Sequence, residues 1–590
     1  MSAIGKFPVN LSVSESIPPV LEDELKLRNS QIRVIKAVCT GIVIFAGLLQ
    51  AWIGAYFLDP DGVCYVDVGR AFVNHHWLEA FNSYWSPLYA WILGSALQIS
   101  GWSARWELPI IHAVNFAIYL FAFWCFNKFL RTALALLRTE NTSKDPQYLP
   151  EFGLWLVDNG IFLWSTLTQI PAWEVSPDLL VAATVYLVAE AILKIKSGAS
   201  LGSFAKLGVI LGLSYWCKAV MFPLGCMFLV IAWFASSAKQ RNRYINFAVA
   251  VLLFALVSSP LVLVLSKKQG HFTFGDSGWL NYSSYVSPGG RVRNWQGQPA
   301  AAGIPIHATR KIFEKPDVFE FAQPIGGTYP PSYDPPYWNA GRQWTFHLRT
   351  QIAVAVQHLI LYANLFLFSQ VGILVGVFTL VFCSPIKGSI FKNWPLLAVS
   401  FCAFATYMLV HAENRFLGAY LALVWMAILL AIKLPAFTVR KKIIFYLMAA
   451  IAISCVVSTA GEMYRQWRDS EGYSALLHLE VAQDLNSAGV HPGAQIAVIG
   501  NGNFAYYAHF DRTKIVAEIM EENTTTFWTS TSERRNEVYS AFAKTGALAL
   551  VAKPPLPLVP LDAGWIKLGS TPFYMRWLQK PQPTNSLSNE

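Results

Sequence analysis

Long apolar runs separated by short polar segments dominate the first 460 residues of the chain. Most of these runs hold about 18 or more residues, which is enough for a helix that crosses a bilayer. The predicted spans cover 36–57, 107–127, 153–170, 179–195, two short stretches between 196 and 239, 245–265, 365–383, 394–410, 416–432 and 443–460. This pattern predicts an α-helical polytopic membrane protein with about eleven transmembrane helices.

Basic residues at the ends of the runs predict the orientation of the chain. A basic group precedes the first span: Lys26, Arg28, Arg33 and Lys36. Because cytoplasmic loops carry an excess of Lys and Arg, the segment 1–35 is predicted to be cytoplasmic and the C-terminus to lie outside. The apolar segment 86–100 is short, and a crossing there would place the next basic cluster outside. We therefore expect 86–100 to form an interfacial or re-entrant helix.

The apolar stretch between Lys196 and the basic segment 239–243 is too long for a single span. Its two ends are both predicted to be cytoplasmic, so the chain has to cross the membrane an even number of times. Two short spans with a break near 217–223 satisfy that condition. The break leaves Lys218 at the outer surface.

The transmembrane domain is predicted at 36–461, with large outer loops at 58–106 and 267–346, and the remainder, 462–590, has the composition of a soluble domain. The second loop is rich in Gly, Pro, Tyr and Trp. In the C-terminal segment, helices are predicted at 473–489 and 533–545, and strands at 494–500, 513–519 and 547–553. Alternation of helix and strand predicts a small α/β domain on the outer side.

The sequence "GNGN" (500–503) follows the first of these strands, as the glycine-rich turn of a dinucleotide-binding fold does. It lacks the third glycine and a clear acidic partner farther along the chain. An α/β domain anchored to the membrane domain is the preferred interpretation.

Composition supports the membrane assignment. Hydrophobic residues make up 54% of the chain and charged residues 14%, against about 25% charged in typical soluble proteins. The net charge of +10 comes mainly from loops between apolar runs, so it reflects orientation rather than nucleic-acid binding. The cysteines lie mostly inside apolar runs and predict no disulfide framework. The polar N-terminus lacks the features of a signal peptide, so the first span is expected to be retained.

Charged and polar residues gather at the helix ends that are predicted to lie outside: Asp59, Asp61, Asp67, Glu174, Asp178, Lys218, His411, Glu413 and Arg415. Charged groups at membrane depth are costly and usually pair with one another or line a cavity. A carboxylate can accept a proton from an attacking hydroxyl. Lys and Arg can neutralise a phosphate leaving group. The set indicates a site for a phosphorylated, membrane-borne substrate.

The carboxylates of the segment 58–72 are predicted to have different roles. Asp59 precedes Pro60 and is typical of a helix N-cap. Asp61 is not needed as the cap, and Tyr65 follows it on the same helix face. Asp67 points elsewhere and either pairs with Arg70 or contacts substrate. An Asp-x-Asp metal site is the weakest interpretation, because so short a pattern is common.

Structural explanations compete with function at the other positions. Glu174 and Asp178 lie beside a Ser-Pro helix start, where acidic residues favour the helix N-terminus. Lys218 could reach the interface as a snorkelling lysine, and Arg415 could anchor lipid headgroups. No His and Cys cluster has zinc-ligand spacing, and no hydrolase, Walker or kinase motif occurs in the right context.

The sequence "DPDGVCYVDVGRAF" (59–72) followed by "SYWSPLYAWILG" (83–94) resembles the first outer loop of GT-C integral-membrane glycosyltransferases. These include protein O-mannosyltransferases and lipid A aminoarabinose transferases. The matching features are Asp61, Tyr65 and the Pro-containing helix that follows. The chain departs from the family at Asp61-Gly62 and at 85–87, where an acidic pair or His-Pro-Pro is common. Acceptor type and metal use stay open for that reason.

The resemblance implies a mechanism. Asp61 would act as general base on an acceptor hydroxyl, and Lys218 and Arg415 would hold the departing polyprenyl phosphate, with inversion at the anomeric carbon. The remaining substrate-binding candidates are Tyr65, Asp67, Trp85, Glu174, Asp178, Tyr329, Trp338, His411 and Glu413. The aromatic members of this set, including those of the long loop, would stack on sugar.

The implied partners are a polyprenyl-phosphate sugar donor, a glycan, lipid or protein acceptor, and membrane lipids, with no nucleic acid. No cofactor is implied with certainty, and a divalent cation stays open. The expected location is a bacterial inner membrane. A transporter or flippase is the alternative, and it predicts charges in the middle of spans and internal repeats. A non-catalytic scaffold is a third interpretation and gives Asp61 no role.

Overall fold

The order of apolar and polar segments produces a helical bundle with a sheet domain at one end. The computed structural model describes residues 19–140, 147–198, 200–237, 242–321, 323–382, 390–434, 440–473, 475–555 and 561–579. The helices are α1 (Pro19–Ile53), α2 (Pro60–Val73), α3 (Trp77–Ala80), α4 (Pro87–Ile99), α5 (Ala104–Glu140), α6 (Glu151–Leu163), α7 (Asp178–Gly198), α8 (Leu201–Cys217), α9 (Met221–Ala235), α10 (Arg243–Gln269), α11 (Ser277–Tyr285), α12 (Pro330–Tyr333), α13 (Pro335–Trp338), α14 (Leu348–Ala363), α15 (Val371–Phe382), α16 (Trp394–Val410), α17 (Asn414–Leu429), α18 (Arg440–Tyr473), α19 (Leu476–Ala488), α20 (Tyr506–Phe510), α21 (Glu521–Trp528) and α22 (Ser532–Ala543). The strands are β1 (Gln147–Tyr148), β2 (Arg310–Phe313), β3 (Val318–Glu320), β4 (Lys433–Leu434), β5 (Gln495–Ile499), β6 (Lys514–Ile519), β7 (Ala549–Ala552), β8 (Trp565–Lys567) and β9 (Tyr574–Trp577).

The chain is an integral membrane protein. Within the described ranges, six helices are long and apolar enough to cross a membrane: Ile32–Ile53, Ala104–Thr139, Arg243–Gln269, Leu348–Phe368, Phe391–Val410 and Ile443–Asp469. Shorter apolar helices accompany them at α8, α9, α15 and α17. The predicted spans at 153–170 and 179–195 correspond to α6 and α7, which are largely buried inside the bundle. The number of eleven spans stays a prediction.

The predicted span at 365–383 begins too late. Helix α14 starts at Leu348 and continues through a π-helical turn, Asn364–Phe368, towards α15. Polar residues interrupt the apolar run in this region and hide its start. One of them, His358, is buried and lies 2.9 Å from the carbonyl oxygen of Met408 on α16. The segment Leu348–Phe368 is long and apolar enough to cross a membrane by itself, so the prediction left out most of a span that precedes α15.

Helix α4 confirms that 86–100 forms a short helix, and its interfacial or re-entrant position stays a prediction. Its Tyr89 and Leu93 are fully buried, and it packs closely against α2. A Cβ on Gly69 of α2 would lie 2.4 Å from the carbonyl oxygen of Ala90 and 2.9 Å from the amide nitrogen of Gly94. Paired small residues allow helix backbones to approach this closely. The contact fixes α2, the helix that follows Asp59, against the bundle.

The break between α8 and α9 lies at 218–220, as predicted, and leaves Lys218 at the helix end. The N-cap prediction for Asp59 is also confirmed. Its Oδ1 accepts a hydrogen bond from the amide of Gly62 at 2.7 Å, and its Oδ2 accepts one from the amide of Val175 at 3.1 Å. Asp59 thus caps α2 and ties it to the loop before α7.

The C-terminal segment forms the α/β domain that the sequence predicts. The strands at 495–499, 514–519 and 549–552 are parallel and adjacent, in the order β6-β5-β7. Among the described residues they belong to a sheet of seven strands with the order β2-β3-β6-β5-β7-β9-β8. Strands β2 and β3 come from the long loop 267–346, and β3 pairs antiparallel with β6. The loop and the C-terminal segment therefore build one sheet, which the sequence did not indicate.

Candidate active site

Arg415 is the centre of a charged cluster at one end of the bundle. It lies in the first turn of α17, and its guanidinium is largely buried. The Nη2 atom is 3.0 Å from Asp61 Oδ2, and Nη1 is 3.6 Å from Glu174 Oε2. The Nε atom is 2.7 Å from Glu413 Oε2 and 3.7 Å from Asp178 Oδ2. Four predicted outer residues from three separate segments thus meet at one guanidinium.

Lys218 brings a second cation to the same cluster. Its Nζ lies 2.5 Å from Asp178 Oδ1 and 3.5 Å from the centre of the Phe416 ring. Asp178 contacts both Lys218 and Arg415 and is almost fully buried. One carboxylate therefore holds the two positive groups side by side, because the break between α8 and α9 faces the start of α7 and α17.

Glu413 and His411 extend the cluster towards the long loop. His411 Nε2 is 2.9 Å from Glu413 Oε1, and the imidazole stacks on Tyr285 with ring centres 3.9 Å apart. Burial acts in the opposite direction, but His411 and Arg415 hold the pKa of Glu413 at about 2. Glu413 is therefore ionised at every physiological pH, and Tyr285 connects the cluster to α11.

Two other carboxyl groups of the cluster have raised pKa values. Burial raises the pKa of Glu174 to about 8, against the opposing effect of Arg415. Burial and the neighbouring Asp61 raise the pKa of Asp59 to about 7. At neutral pH Glu174 is mainly protonated, so the cluster carries less negative charge than its number of carboxyl groups suggests.

Asp61 stands at the border between this cluster and a cavity. The cavity has an empty volume of about 920 Å³, open mouth included, and Asp61, Trp85, Tyr329 and Trp338 are among its lining residues. The indole nitrogen of Trp85 donates to the carbonyl oxygen of Ser332 at 2.9 Å. The structure thus brings the predicted base and three predicted aromatic residues to one space. Tyr65 packs edge-on against Trp85, with ring centres 5.1 Å apart.

Basic residues of the long loop also line this cavity, and sequence reasoning missed them. Arg291 and Arg293 lie in the segment after α11, and Arg342 lies just after α13. Arg342 is buried and donates to the carbonyl oxygens of Ser283 at 3.0 Å and Gly290 at 2.5 Å. The spacing "RVR" at 291–293 within an aromatic loop was the signal available in the sequence.

The structure does not bring Asp67 to the Arg415 cluster. Asp67 is buried and accepts from the amide of Thr328 at 2.7 Å, while Arg70 Nη1 lies 3.5 Å from it. His509 of α20 completes this second cluster, with Nδ1 3.6 Å from Asp67 and Nε2 2.5 Å from Glu107 Oε1. The predicted pair with Arg70 is present. A contact between Asp67 and substrate stays a prediction.

Among the residues that the structure describes, no His, Cys, Asp or Glu side chains are grouped in threes so that they could hold a metal ion. The carboxyl groups near Asp61 surround a guanidinium instead.

The chain was compared with known proteins by sequence and by structure, and only the structural comparison gives a match. No protein-family model matches the sequence, and no curated protein matches it significantly. ArnT from Cupriavidus metallidurans bound to undecaprenyl phosphate superimposes with a TM-score of 0.54 and 10% identity, over 94% of this chain and 98% of ArnT. The chain has the ArnT fold. The apo form of the same ArnT gives a TM-score of 0.52 and 11% identity, over 92% of this chain and 100% of ArnT.

The fold that the resemblance around 58–94 implies is therefore confirmed. The match includes the C-terminal domain as well as the bundle, because it covers nearly the whole of both chains. At 10% identity the likeness to ArnT establishes the fold, and the activity depends on the chemistry of the site.

Proposed function

We propose that this protein is a glycosyltransferase that moves a sugar from a polyprenyl-phosphate donor to an acceptor hydroxyl at the outer face of the membrane. The observation that carries the proposal is the position of Asp61, which pairs with Arg415 on one side and lines an aromatic cavity on the other. The ArnT structure that shares this fold holds undecaprenyl phosphate, which supports a donor of that class. The acceptor is a glycan, lipid or protein hydroxyl.

The orientation follows from the distribution of charge. At the end of the bundle opposite the site, Arg138 pairs with Glu151 at 2.5 Å, and Glu190 contacts Lys194 at 2.7 Å. An excess of basic residues marks the cytoplasmic side. The Arg415 cluster and the C-terminal domain then lie outside, and the N-terminus lies in the cytoplasm. The bacterial origin of ArnT supports an inner membrane as the location.

Arg415 and Lys218 are proposed to bind the donor phosphate. Arg415 Nε lies 3.7 Å and Lys218 Nζ 2.5 Å from the carboxylate of Asp178. The two positive groups are therefore close enough to share one phosphate. Guanidinium and ammonium groups stabilise the charge that develops on a departing phosphate. The protonated state of Glu174 reduces the negative charge that would oppose the phosphate.

Asp61 is proposed to act as general base. When the phosphate occupies Arg415, the carboxylate of Asp61 loses that partner and faces the cavity. The acceptor oxygen then attacks the anomeric carbon, and its proton passes to Asp61. The bond between that carbon and the phosphate oxygen breaks, and the electron pair leaves with the polyprenyl phosphate. Attack opposite the leaving group inverts the anomeric configuration.

The aromatic side chains of the cavity are proposed to hold the sugar. Trp85, Tyr329 and Trp338 line the cavity and supply flat apolar faces on which a sugar ring can stack. Trp338 is held in place by contact with Phe321, at 6.0 Å between ring centres. Tyr65 supports Trp85 from behind rather than facing the cavity directly.

One observation favours the flippase alternative. Asp158 lies within α6 and is fully buried, and neither of its carboxylate oxygens has a hydrogen-bond partner among the described residues. Acidic groups inside a bundle are frequent in proton-coupled transporters. The proposed transferase mechanism gives Asp158 no role.

The proposal is tested with the full chain in nanodiscs and a panel of labelled polyprenyl-phosphate sugars. The Asp61→Asn protein is expected to lose about 10²- to 10⁴-fold in transfer rate, the usual contribution of a general base. Asp317→Asn is the control, because Asp317 is a partly exposed carboxylate in the β2–β3 hairpin. Full activity of Asp61→Asn would refute the base assignment. Movement of donor across the bilayer without sugar transfer would favour the flippase.

A further inference from the structure

A second cavity lies in the C-terminal domain, at the carboxyl ends of its parallel strands. Strand β5 is flanked by β6 on one side and by β7 on the other, and all three strands are parallel. The order in which successive strands are added to the sheet therefore reverses at β5. Such a switch point opens a crevice where ligands bind in α/β folds. The lining follows this rule, because Gly500 comes directly after β5, Glu521 follows β6 and Lys553 follows β7.

This cavity is distinct from the one that contains Asp61. Its empty volume is about 1410 Å³, open mouth included. The segment 500–504 forms a common wall, which contributes Asn503 to the first cavity and Gly500, Asn501 and Phe504 to the second. The proposed transferase chemistry makes no use of the second space.

Aromatic rings and hydroxyl groups dominate the lining. Phe504, Trp528 and Phe573 provide apolar faces, and Phe504 is 47% exposed although it borders a cavity. Thr524 and Thr525 on α21 provide hydroxyl groups. A concave surface with flat apolar faces and scattered neutral donors and acceptors is suited to a ring-shaped ligand that carries hydroxyl groups.

A nucleotide is a poor fit for the same cavity. Strand β5 is followed by a single turn, Gly502–Phe504, and by the five-residue α20, so no long helix offers its N-terminus to a phosphate. Helix α21 begins with Glu521 and Glu522 in its first turn. These carboxylates occupy the place where a phosphate would be favoured. The charged side chains of the lining are one acid and one base, Glu521 and Lys553, so the lining carries no net positive charge that would favour an anion.

His478 contributes a neutral imidazole to the lining. It lines the cavity and stacks on Tyr507 with ring centres 5.7 Å apart, and its Nδ1 has no hydrogen-bond partner among the described residues. Burial and nearby Lys553 lower the pKa of His478 to about 4. A neutral imidazole can donate one hydrogen bond and accept another, as sugar hydroxyls require.

We propose that the cavity between the ends of β5, β6 and β7 is a binding site for a neutral saccharide. The site lies outside the membrane-spanning bundle and is separate from the cavity of Asp61. It stands on binding alone, so it holds or fails independently of the transferase proposal.

The test is binding of the fluorescently labelled full chain, in nanodiscs, to an array of neutral and charged glycans, followed by calorimetric titration of the best ligands. Neutral glycans are expected to bind, and ADP, used as an anionic probe, is not. Phe504→Ala is expected to weaken saccharide binding about tenfold, the size of a good aromatic contact. Phe272→Ala is the matched control, since Phe272 is 75% exposed and lies outside the cavity.

Thr525→Val is a second variant, which removes a hydroxyl group and keeps the volume of the side chain. Thermal denaturation checks that each protein is folded. No neutral glycan bound across the array, binding of ADP instead, or equal affinities for Phe504→Ala and Phe272→Ala would overturn the proposal. If binding occurs, displacement by a polyprenyl-phosphate sugar identifies the sugar of the donor as occupant. Persistence of binding identifies a glycan from another source, and both results support the site.

Discussion

The Arg415 guanidinium explains how so many carboxyl groups coexist at one helix end. Charged groups at membrane depth persist when they are paired, and here one planar cation contacts Asp61, Glu174, Asp178 and Glu413. Lysine at this position could not present donors in several directions from a fixed plane. The net charge of the cluster around Arg415 therefore depends on which of these carboxyl groups retain a proton.

Loss of a proton from Glu174 is expected to change the binding of the donor as the pH rises. Its pKa of about 8 means that it gains a negative charge beside Arg415 as the pH rises through 8. The added charge repels a donor phosphate, so the KM for the donor is expected to rise about tenfold between pH 7 and 9, which corresponds to ~1.4 kcal/mol. Glu174→Gln imitates the protonated group and should show a nearly constant KM.

The measurement is donor KM against pH for both proteins. Glu537→Gln serves as control, because Glu537 is an exposed carboxylate on α22. A rise in KM that is the same in Glu174→Gln and in the unmodified protein would assign the pH effect to another group. The folded protein also binds this proton more tightly than the unfolded chain does, so the contribution of Glu174 to stability falls between about pH 4.5 and 8.

At the scale of elements, the contact between α2 and α4 positions Asp61 and Trp85. Gly69→Ala would place a Cβ 2.4 Å from the carbonyl oxygen of Ala90, and backbone atoms cannot move aside easily. Overpacking of this kind costs about 1–3 kcal/mol. We expect a lower melting temperature in detergent and a lower transfer rate, because α2 is displaced from α4.

Gly41→Ala provides the matched control for this experiment. Gly41 lies in α1, and an added Cβ there would meet no atom within 4 Å among the described residues. Alanine also has the higher helix propensity, by up to about 1 kcal/mol. If Gly69→Ala melts at the same temperature as Gly41→Ala, close packing of α2 on α4 does not limit stability.

Elements whose signals are local could be predicted from the sequence. Most helices of the bundle, the break at Lys218, the cap at Asp59 and the strands β5, β6 and β7 follow from run length, charge or short motifs. The hairpin of β2 and β3 could not be predicted in the same way. Its pairing with β6 joins Phe319 to Glu518, and no local pattern encodes a partner so distant in sequence.

For the same reason, only part of the candidate site could be predicted from the sequence. Residues at predicted outer helix ends proved to meet at Arg415, because orientation alone brings such ends to one side. The helical period already separates Asp67 from Asp61, but the partner of Asp67, His509, depends on how the C-terminal domain packs on the bundle. The arginines of the cavity depend on how the long loop folds back. These positions are set by packing between segments that lie far apart in the chain.

At the scale of the whole molecule, a buried ionic cluster connects the sheet domain to the bundle. His509 of α20 lies between Glu107 of α5 and Asp67 of α2, and all three side chains are buried. Burial alone would lower the pKa of His509, but the two carboxylates raise it to about 9. Together with Arg70, the imidazolium therefore balances the negative charge of the two buried carboxylates.

This cluster is expected to make the stability of the protein depend on pH. The pKa of His509 is higher in the folded protein than its value of 6.5 in an unfolded chain. Its stabilising contribution is therefore fully present below about pH 6.5 and is lost as the pH rises through about 9. A shift of this size corresponds to about 3 kcal/mol. The melting temperature of the full chain in detergent, measured from pH 6 to 10, should fall over the upper part of this range.

His509→Gln separates this effect from other titrations. Glutamine cannot carry the positive charge, so the variant should be less stable than the unmodified protein at pH 7 and should lose most of the difference by pH 10. His491→Gln is the control, because His491 is exposed in the same domain. If His509→Gln keeps the full pH dependence, the charge of His509 does not hold the sheet domain on the bundle. If the melting temperatures of His509→Gln and the unmodified protein converge at high pH, the proton on His509 stabilises the contact of α20 with α5 and α2, and with it the attachment of the outer domain.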